Sequence, residues 1–379
     1  MSGLDLATVG DALRLWGWTS RVAAAVAEAT AEFGRHAVPA RVVAVDREQA
    51  VLRLPDGGRD GRLAGRLRGS VVAGSQLPAT GDWVLVDPPE QGGPVRIVAV
   101  LPRTSAFRRS NRDGRHSPSD ADEQVVAANV DTVFLVSGLD GDLNVRRLER
   151  YLALAWSSGA DAVVVLNKAD IASDLEAAVR SVEEVARGVP VVVVSALEQI
   201  GLEALGEWLR PGATIALLGS SGVGKSSLAN ALLGEARQAT TDVREDDSRG
   251  RHTTTRRELI RLPSGALLLD TPGMRALELW DDGSGLKAAF DDVAALAARC
   301  RFGDCRHEAE PGCAVLAAIE AGELSAARLA SHRKLAREVR SAAVRADPVA
   351  RRSERRRWGS IQSSVRVHLR SKYGEAYED

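Results

Sequence analysis

Two short motifs limit the folds open to this chain, because they stand in an unusual order. The run "VVVLNKAD" ends in Asn167-Lys168-Ala169-Asp170, and "LLGSSGVGKSS" holds Gly-x-x-x-x-Gly-Lys-Ser at residues 219–226. Each follows an apolar stretch of strand length and leads into a helical pattern. Continuous Val/Leu/Ile runs alternating with helices from about residue 128 onward argue for a parallel sheet covered on both faces. The two motifs belong to one kind of nucleotide site, in which the phosphate loop ordinarily comes first. Here it comes second.

The glycine-rich motif has a direct physical reading. Gly219, Gly222 and Gly224 let the backbone turn tightly and aim N–H groups at an anion. The expected cradle comprises Gly219, Ser220, Ser221, Gly222, Val223, Gly224, Lys225, Ser226 and Ser227. Lys225 reaches β- and γ-phosphates, and Ser226 ligates Mg²⁺ from the first turn of a helix. By itself the motif says phosphate, not which base.

The base is the business of the earlier motif. The Asp170 carboxylate accepts two hydrogen bonds from guanine's N1–H and exocyclic amine, a donor pair that adenine lacks. Lys168 lies along the ring and Asn167 ties the loops together, with Ala169 between Lys168 and Asp170. A helix N-cap would explain Asp170 equally well on its own. The next apolar run ends in Ser195-Ala196, whose backbone N–H is expected to meet the guanine carbonyl.

Beyond the phosphate loop, "LLLDTPG" places Asp270 at a strand end, where it holds Mg²⁺ through water, and Gly273 where its N–H faces a γ-phosphate. Between them lies the polar "DDSRGRHTTTRREL". A Thr there completes the Mg²⁺ shell as a nucleotide-sensing loop would. Thr254 fits best by spacing, with Thr253 and Thr255 close behind. Met274 follows the glycine where many such enzymes carry a water-orienting Gln. His252 is the candidate to replace that function.

The base reader, Ser-Ala, phosphate loop, Thr switch and Asp-Thr-Pro-Gly, with "GRHTTT" and a downstream Cys/His cluster, resemble the ribosome small-subunit-dependent GTPase A family of circularly permuted GTPases. The resemblance covers most of residues 40–373. It implies an α/β multidomain protein with a small all-β oligonucleotide-binding-type barrel, a circularly permuted P-loop GTPase core and an α-helical zinc-binding C-terminal domain. It implies GTP hydrolysis stimulated by the small ribosomal subunit, a role in that subunit's late maturation, and rRNA binding. The family's proposed catalytic histidine falls on His252, beside Lys225 and Thr254.

The remaining sequence fits these expectations. Residues 1–36 read as a helical extension with Ser20 as cap, and 37–102 as the barrel, from short β-rich runs between Gly/Pro/Asp turns. Residues 103–127 read as a basic linker, 128–286 as the GTPase domain, and 287–379 as the zinc domain with a basic tail. In Cys300-x4-Cys305-x-His307-x5-Cys313, all three cysteines of the chain join one histidine, the donor set of a closed structural Zn²⁺ site. Residues 328–372 carry 14 Lys+Arg against 3 Asp+Glu, which leaves −12 for the rest of a chain whose total is −1. That asymmetry points to a polyanionic partner. No apolar run has the length of a membrane span. The expectation is a cytoplasmic monomer that binds GTP or GDP with Mg²⁺, one structural zinc, and the small subunit and its rRNA. Two rivals stay open on sequence: a GTP-regulated RNA-binding scaffold, and a non-ribosomal GTPase with a zinc module for a protein partner.

Overall fold

A computed structural model describes residues 6–33, 37–46, 49–63, 77–87, 95–110, 123–234, 257–270 and 283–346. The first helical stretch breaks in two. Helix α1 (Leu6–Leu13) passes through a 3₁₀ turn to a left-handed Gly17, and α2 (Ser20–Phe33) follows. The hydroxyl of Thr19, rather than Ser20, accepts from the Val22 N–H at 3.3 Å at the start of α2.

Five strands come next: β1 (Val38–Asp46), β2 (Gln49–Leu54), β3 (Gly57–Leu63), β4 (Trp83–Asp87) and β5 (Val95–Val100). They pair in the order β1-β2-β3-β5-β4, and β4 returns to β1, so the sheet closes into the expected barrel. The β3–β5 pair is parallel and the other four are antiparallel. Ala40, Val42, Leu52, Val84, Val86 and Ile97 fill the interior. Trp83 and Leu85 point the other way and are also buried, under Val9, Leu13 and Val26 of the N-terminal helices. That cover explains why "WVLV" reads as continuous apolar sequence rather than as an alternating strand.

The stretch expected to be a linker is in part a hairpin. Strands β6 (Ala106–Ser110) and β7 (Glu123–Ala128) pair antiparallel. Arginines dominate the reading of "AFRRS", but Phe107, Val125 and Val126 are buried and fasten the hairpin to the core. Residues 111–122 of this expected linker lie outside the described residues.

Strands β8 (Thr132–Gly138), β9 (Asp161–Asn167), β10 (Val191–Val193), β11 (Thr214–Leu218), β12 (Arg257–Arg261) and β13 (Leu267–Asp270) form the core sheet in the order β10-β9-β8-β11-β13-β12. All pair in parallel except β12. Helices α3 (Val145–Ser158), α4 (Leu175–Glu183) and α5 (Lys225–Leu233) follow β8, β9 and β11. Asn144 caps α3, accepting from the N–H groups of Arg146 and Arg147, and a left-handed Gly159 ends it. The expected helix at "LEALGEWLR" is a 3₁₀ segment, Leu202–Glu207.

Barrel and core share one sheet, because β1 pairs antiparallel with β12 at Ala44–Glu258 and Val45–Arg257. Beneath this seam lies Arg41, 2% exposed. Its guanidinium donates to the Asn129 carbonyl at 3.3 Å and to the Thr214 hydroxyl at 3.1 Å, and stacks 5.1 Å from the Trp83 ring. Burial pulls its pKa down to about 10, against the opposing charges of Asp131 and Asp82. Of the C-terminal helices α6 (Ser284–Ala289), α7 (Asp291–Ala297), α8 (Ala314–Glu320) and α9 (Ala326–Ala346), α6 and α9 pack on α3 and α7 joins α6 to α8, and Phe290, Val293, Val315, Leu329 and Leu335 continue the core that Leu148 and Leu152 begin. Among the described residues no helix is long and apolar enough to cross a membrane.

Gly81 tests the junction. It has φ +93°, and a Cβ there would lie 2.1 Å from the Ala128 carbonyl oxygen. Gly81→Ala is expected to cost about 2–4 kcal/mol through strain and overpacking, read as a lower urea midpoint with the secondary structure retained.

Candidate functional site

The C-terminal ends of β8, β9 and β11 meet on one edge of the sheet, where open α/β folds bind ligands. Asn167, 2% exposed, closes β9 there. Its amide donates to the Val223 carbonyl in the phosphate loop at 2.9 Å. Its carbonyl oxygen accepts from the Ala196 N–H at 2.9 Å. One side chain therefore joins all three loops that the sequence singled out. Gly224 admits it: a Cβ at that position would lie 2.3 Å from the Asn167 amide nitrogen.

The neighbouring residues are fixed as tightly. Lys168 adopts a left-handed conformation, φ +66°. Asp170 sits in the 3₁₀ turn Ala169–Ile171, and one of its oxygens accepts from the buried Ser195 hydroxyl at 2.5 Å. The Ser195 oxygen in turn accepts from the Glu198 N–H at 3.1 Å, so the carboxylate is aimed through a chain of bonds anchored in the backbone. One expectation changes here. The Ser195 N–H donates to the Ile200 carbonyl at 2.9 Å, and the Ala196 N–H goes to Asn167. Both are spent on holding the loop, because a buried N–H takes whichever acceptor the fold places against it.

In the phosphate loop, Gly222 and Gly224 both have positive φ, and Lys225 opens α5. The Lys225 ammonium donates to the Gly219 carbonyl at 2.9 Å and to the Ser220 carbonyl. Ser226 and Ser227 occupy the first turn of α5, whose N-terminus favours an anion. Asp270 ends β13 beside β11, its register fixed by pairing with Glu258. His252, Thr253, Thr254, Thr255 and Gly273 lie outside the described residues, as do the Asp270 side chain and the basic tail beyond residue 346.

Sequence reasoning missed two carboxylates. After β8 the chain runs Leu139-Asp140-Gly141-Asp142, a turn with Gly141 at φ +89°. Asp140 pairs with the Lys168 ammonium. Asp142 accepts from the Ser220 hydroxyl at 2.6 Å and pairs with Arg147 at 2.9 Å. The available signal was position: a polar turn at the end of a fully buried strand that lies between the two motif-bearing strands.

Cys300, Cys305, His307 and Cys313 come together, each offering one ligand atom within 4.8 Å of the others. Nδ1 of His307 lies 3.6 Å from the Cys300 sulfur and 3.5 Å from the Cys313 sulfur, and the two sulfurs are 3.9 Å apart. A tetrahedral zinc site with Zn–S of about 2.3 Å has ligand–ligand edges of about 3.5–3.8 Å, so the set fits that ion. Desolvation first, then contacts with Cys313 and Cys300, push the Cys305 thiol up to about 11. Thiolates crowded this closely need a cation. Burial, then the charge of Arg333, holds His307 below its ordinary value, so the ring is neutral and free to ligate near neutral pH. Arg333 also donates to the His307 carbonyl at 2.5 Å, clamping the knuckle to α9.

Comparison with known proteins agrees with this geometry. Residues 100–280 match the model of the RsgA GTPase family. The small ribosomal subunit biogenesis GTPase RsgA of Opitutus terrae is 50% identical over 343 residues, covering 88% of this chain and 92% of the relative. The chain belongs to the RsgA GTPase family. The RsgA of Streptomyces coelicolor is 45% identical over 357 residues, with 93% and 94% coverage. Among solved structures, YjeQ from Thermotoga maritima superposes with a TM-score of 0.59 at 28% identity, covering 80% of this chain and 98% of that one. YloQ, described as a circularly permuted GTPase, has a TM-score of 0.55 at 22% identity, with 81% and 96% coverage, and shares the fold. The reversed motif order agrees with the fold shared with YloQ, a circularly permuted GTPase.

Two outcomes follow from the RsgA site. Asn167→Ala strands the Val223 carbonyl and the Ala196 N–H together, at about 1–3 kcal/mol for each buried group. Calorimetric titration should show GDP affinity reduced at least tenfold, with the far-UV spectrum retained. Elemental analysis of the purified protein should find zinc at about one per chain, and Cys305→Ser should lose it and lower the melting temperature.

Proposed function

We propose that this chain hydrolyses GTP as a maturation factor of the small ribosomal subunit. The observation that carries the reading is the Asn167 tie, which brings Asn167-Lys168-Ala169-Asp170, Ser195-Ala196 and the phosphate loop to one strand-end crevice. The relatives' shared name, small ribosomal subunit biogenesis GTPase RsgA, supplies the partner.

In this reading Asp170 takes the guanine N1–H and amine, with the Ser195 hydroxyl fixing its orientation. Lys168 lies along the ring. Lys225 exchanges its carbonyl partners for β- and γ-phosphate oxygens, and the N–H groups of residues 219–224 surround the same charge. Ser226, Thr254 and, through water, Asp270 hold Mg²⁺, which when bound neutralises charge developing on the phosphates. His252 orients the attacking water, since Met274 cannot. The Cys/His cluster holds one structural zinc. The basic stretch that begins on α9, where Lys334, Arg337 and Arg340 are exposed, meets rRNA phosphate.

Turnover of GTP should rise severalfold or more with added small subunits and not with large ones, and His252→Ala should slow hydrolysis while leaving GDP binding within about twofold. Co-sedimentation should be tighter with a non-hydrolysable GTP analogue than with GDP, and should weaken steeply with salt. A rate indifferent to both subunits, with equal sedimentation in both nucleotide states, would favour the non-ribosomal alternative.

A further inference from the structure

The acidic turn after β8 carries neither nucleotide motif, yet it grips both. Asp140 holds the ammonium of Lys168 in the base-reading loop, and Asp142 holds the hydroxyl of Ser220 in the phosphate loop. The turn thus spans the gap between base and phosphates, where a nucleotide carries its ribose. We infer that Asp140 is a positioning residue for nucleotide recognition: its carboxylate sets the Lys168 ammonium in place and thereby the affinity for guanosine nucleotides. The inference rests on the assignment of residues 167–170 as the base reader.

Three observations support it. Lys168 leaves the backbone at φ +66°, a conformation uncommon outside glycine and asparagine. The side chain therefore starts in a fixed direction, and a partner at its far end restricts the rotamers that a free lysine would sample. The pair is partly enclosed, with side-chain exposures of 25% for Lys168 and 29% for Asp140, so it is screened less than a surface pair. The turn is also tight. A Cβ on Gly138 would lie 2.5 Å from an Asp140 carboxylate oxygen and 3.6 Å from the Val223 Cα, which places the carboxylate against the phosphate-loop side of the crevice. Burial opposes ionisation of Asp140, but the hydrogen bond and charge of Lys168, together with backbone N–H groups of the turn, hold the carboxyl below its ordinary range. Asp140 is therefore charged at neutral pH and the pair is ionic.

A lysine so held has its methylene stem lying along one line of the crevice and its charge pinned at the ribose edge. An unheld lysine must be ordered by the ligand itself, at the expense of affinity. The effect belongs to ligands with a base and ribose, and bare phosphates do not feel it. It falls on ground-state binding, so it moves KM rather than kcat.

The test is a double-mutant cycle read by fluorescent-GDP binding and by competition with pyrophosphate. Asp140→Ala should weaken GDP and GTP about five- to tenfold, Asp140→Asn less, with pyrophosphate competition unchanged and the effect on turnover confined to KM. In a Lys168→Ala background, Asp140→Ala should change GDP affinity by less than about twofold. Asp170→Asn is run alongside. If Asp170→Asn loses guanine selectivity while Asp140→Ala binds GDP as the parent does, or weakens it equally with and without Lys168, the positioning role is overturned and the base reader stands. If Asp170→Asn keeps full affinity and selectivity, the base reader itself is wrong, and the inference with it.

Discussion

The nucleotide crevice depends on a single buried amide. Asn167 spends its donor on the phosphate loop and its acceptor on the Ser-Ala loop, at 2.9 Å each. Without it, the phosphate loop would lose the side chain that bonds it directly to both other loops. An amide suits this place because it carries a donor and an acceptor on one short rigid fork. A carboxylate has no donor for the Val223 carbonyl, and a hydroxyl lacks the reach to both. The glycine at 224 is the other half of the same constraint, since no Cβ fits between its backbone and that amide.

This explains why reversing the motif order costs the site so little. Loop geometry is set by which strands lie side by side, not by the order in which the chain visits them. Strand β11 lies between β8 and β13, and β9 lies beyond β8, so the base and phosphate loops project from one edge whichever is made first. The link into β11 turns at Pro211-Gly212, where the Gly212 N–H donates to the Gly265 carbonyl at 2.9 Å. The N-terminal extension packs against the same turn: a Cβ on Gly17 would lie 2.9 Å from the Gly212 carbonyl oxygen. Residues before the barrel thus cover both the outer face of β4 and β5 and the turn at Gly212.

Much of this was legible in the sequence, for definite reasons. Parallel core strands buried on both faces leave long apolar runs, and the candidate phosphate loop, base reader and Cys/His ligands stand out by their spacing. The barrel was legible from its turns. What escaped detection were groups whose role depends on distant partners. Arg41 reads as one more arginine in a strand, and only the closed barrel shows it bolted to Thr214. Phe107 and Val125 read as parts of a charged linker until their burial joins β6 to β7. Ala196 reads as a donor to a base, but a buried acceptor 29 residues back claims its N–H. In each case pattern gives the element, and the tertiary partner decides the role.

The C-terminal Cys/His unit is attached through α3. Helix α3 begins at the acidic turn, where Arg147 pairs with Asp142, and it ends packed against α6. On its buried face Glu149, fully enclosed, meets Arg146 at 2.5 Å and Arg328 of α9 at 3.0 Å. Arg328 also reaches Asp292 at 3.1 Å and the Ala289 carbonyl at 2.6 Å, with its plane 4.2 Å from the Phe290 ring. A guanidinium satisfied on several sides and stacked on an aromatic is held in one orientation, whereas purely apolar packing tolerates sliding. Arg150 extends the contact to Glu338, one helical turn along from Lys334 on α9. One rigid helix therefore carries, at one end, a turn that holds Lys168 and Ser220, and along its side the anchors of the C-terminal unit. The Cys/His unit and the strand-end crevice are joined through α3, in addition to the chain that joins β13 to α6.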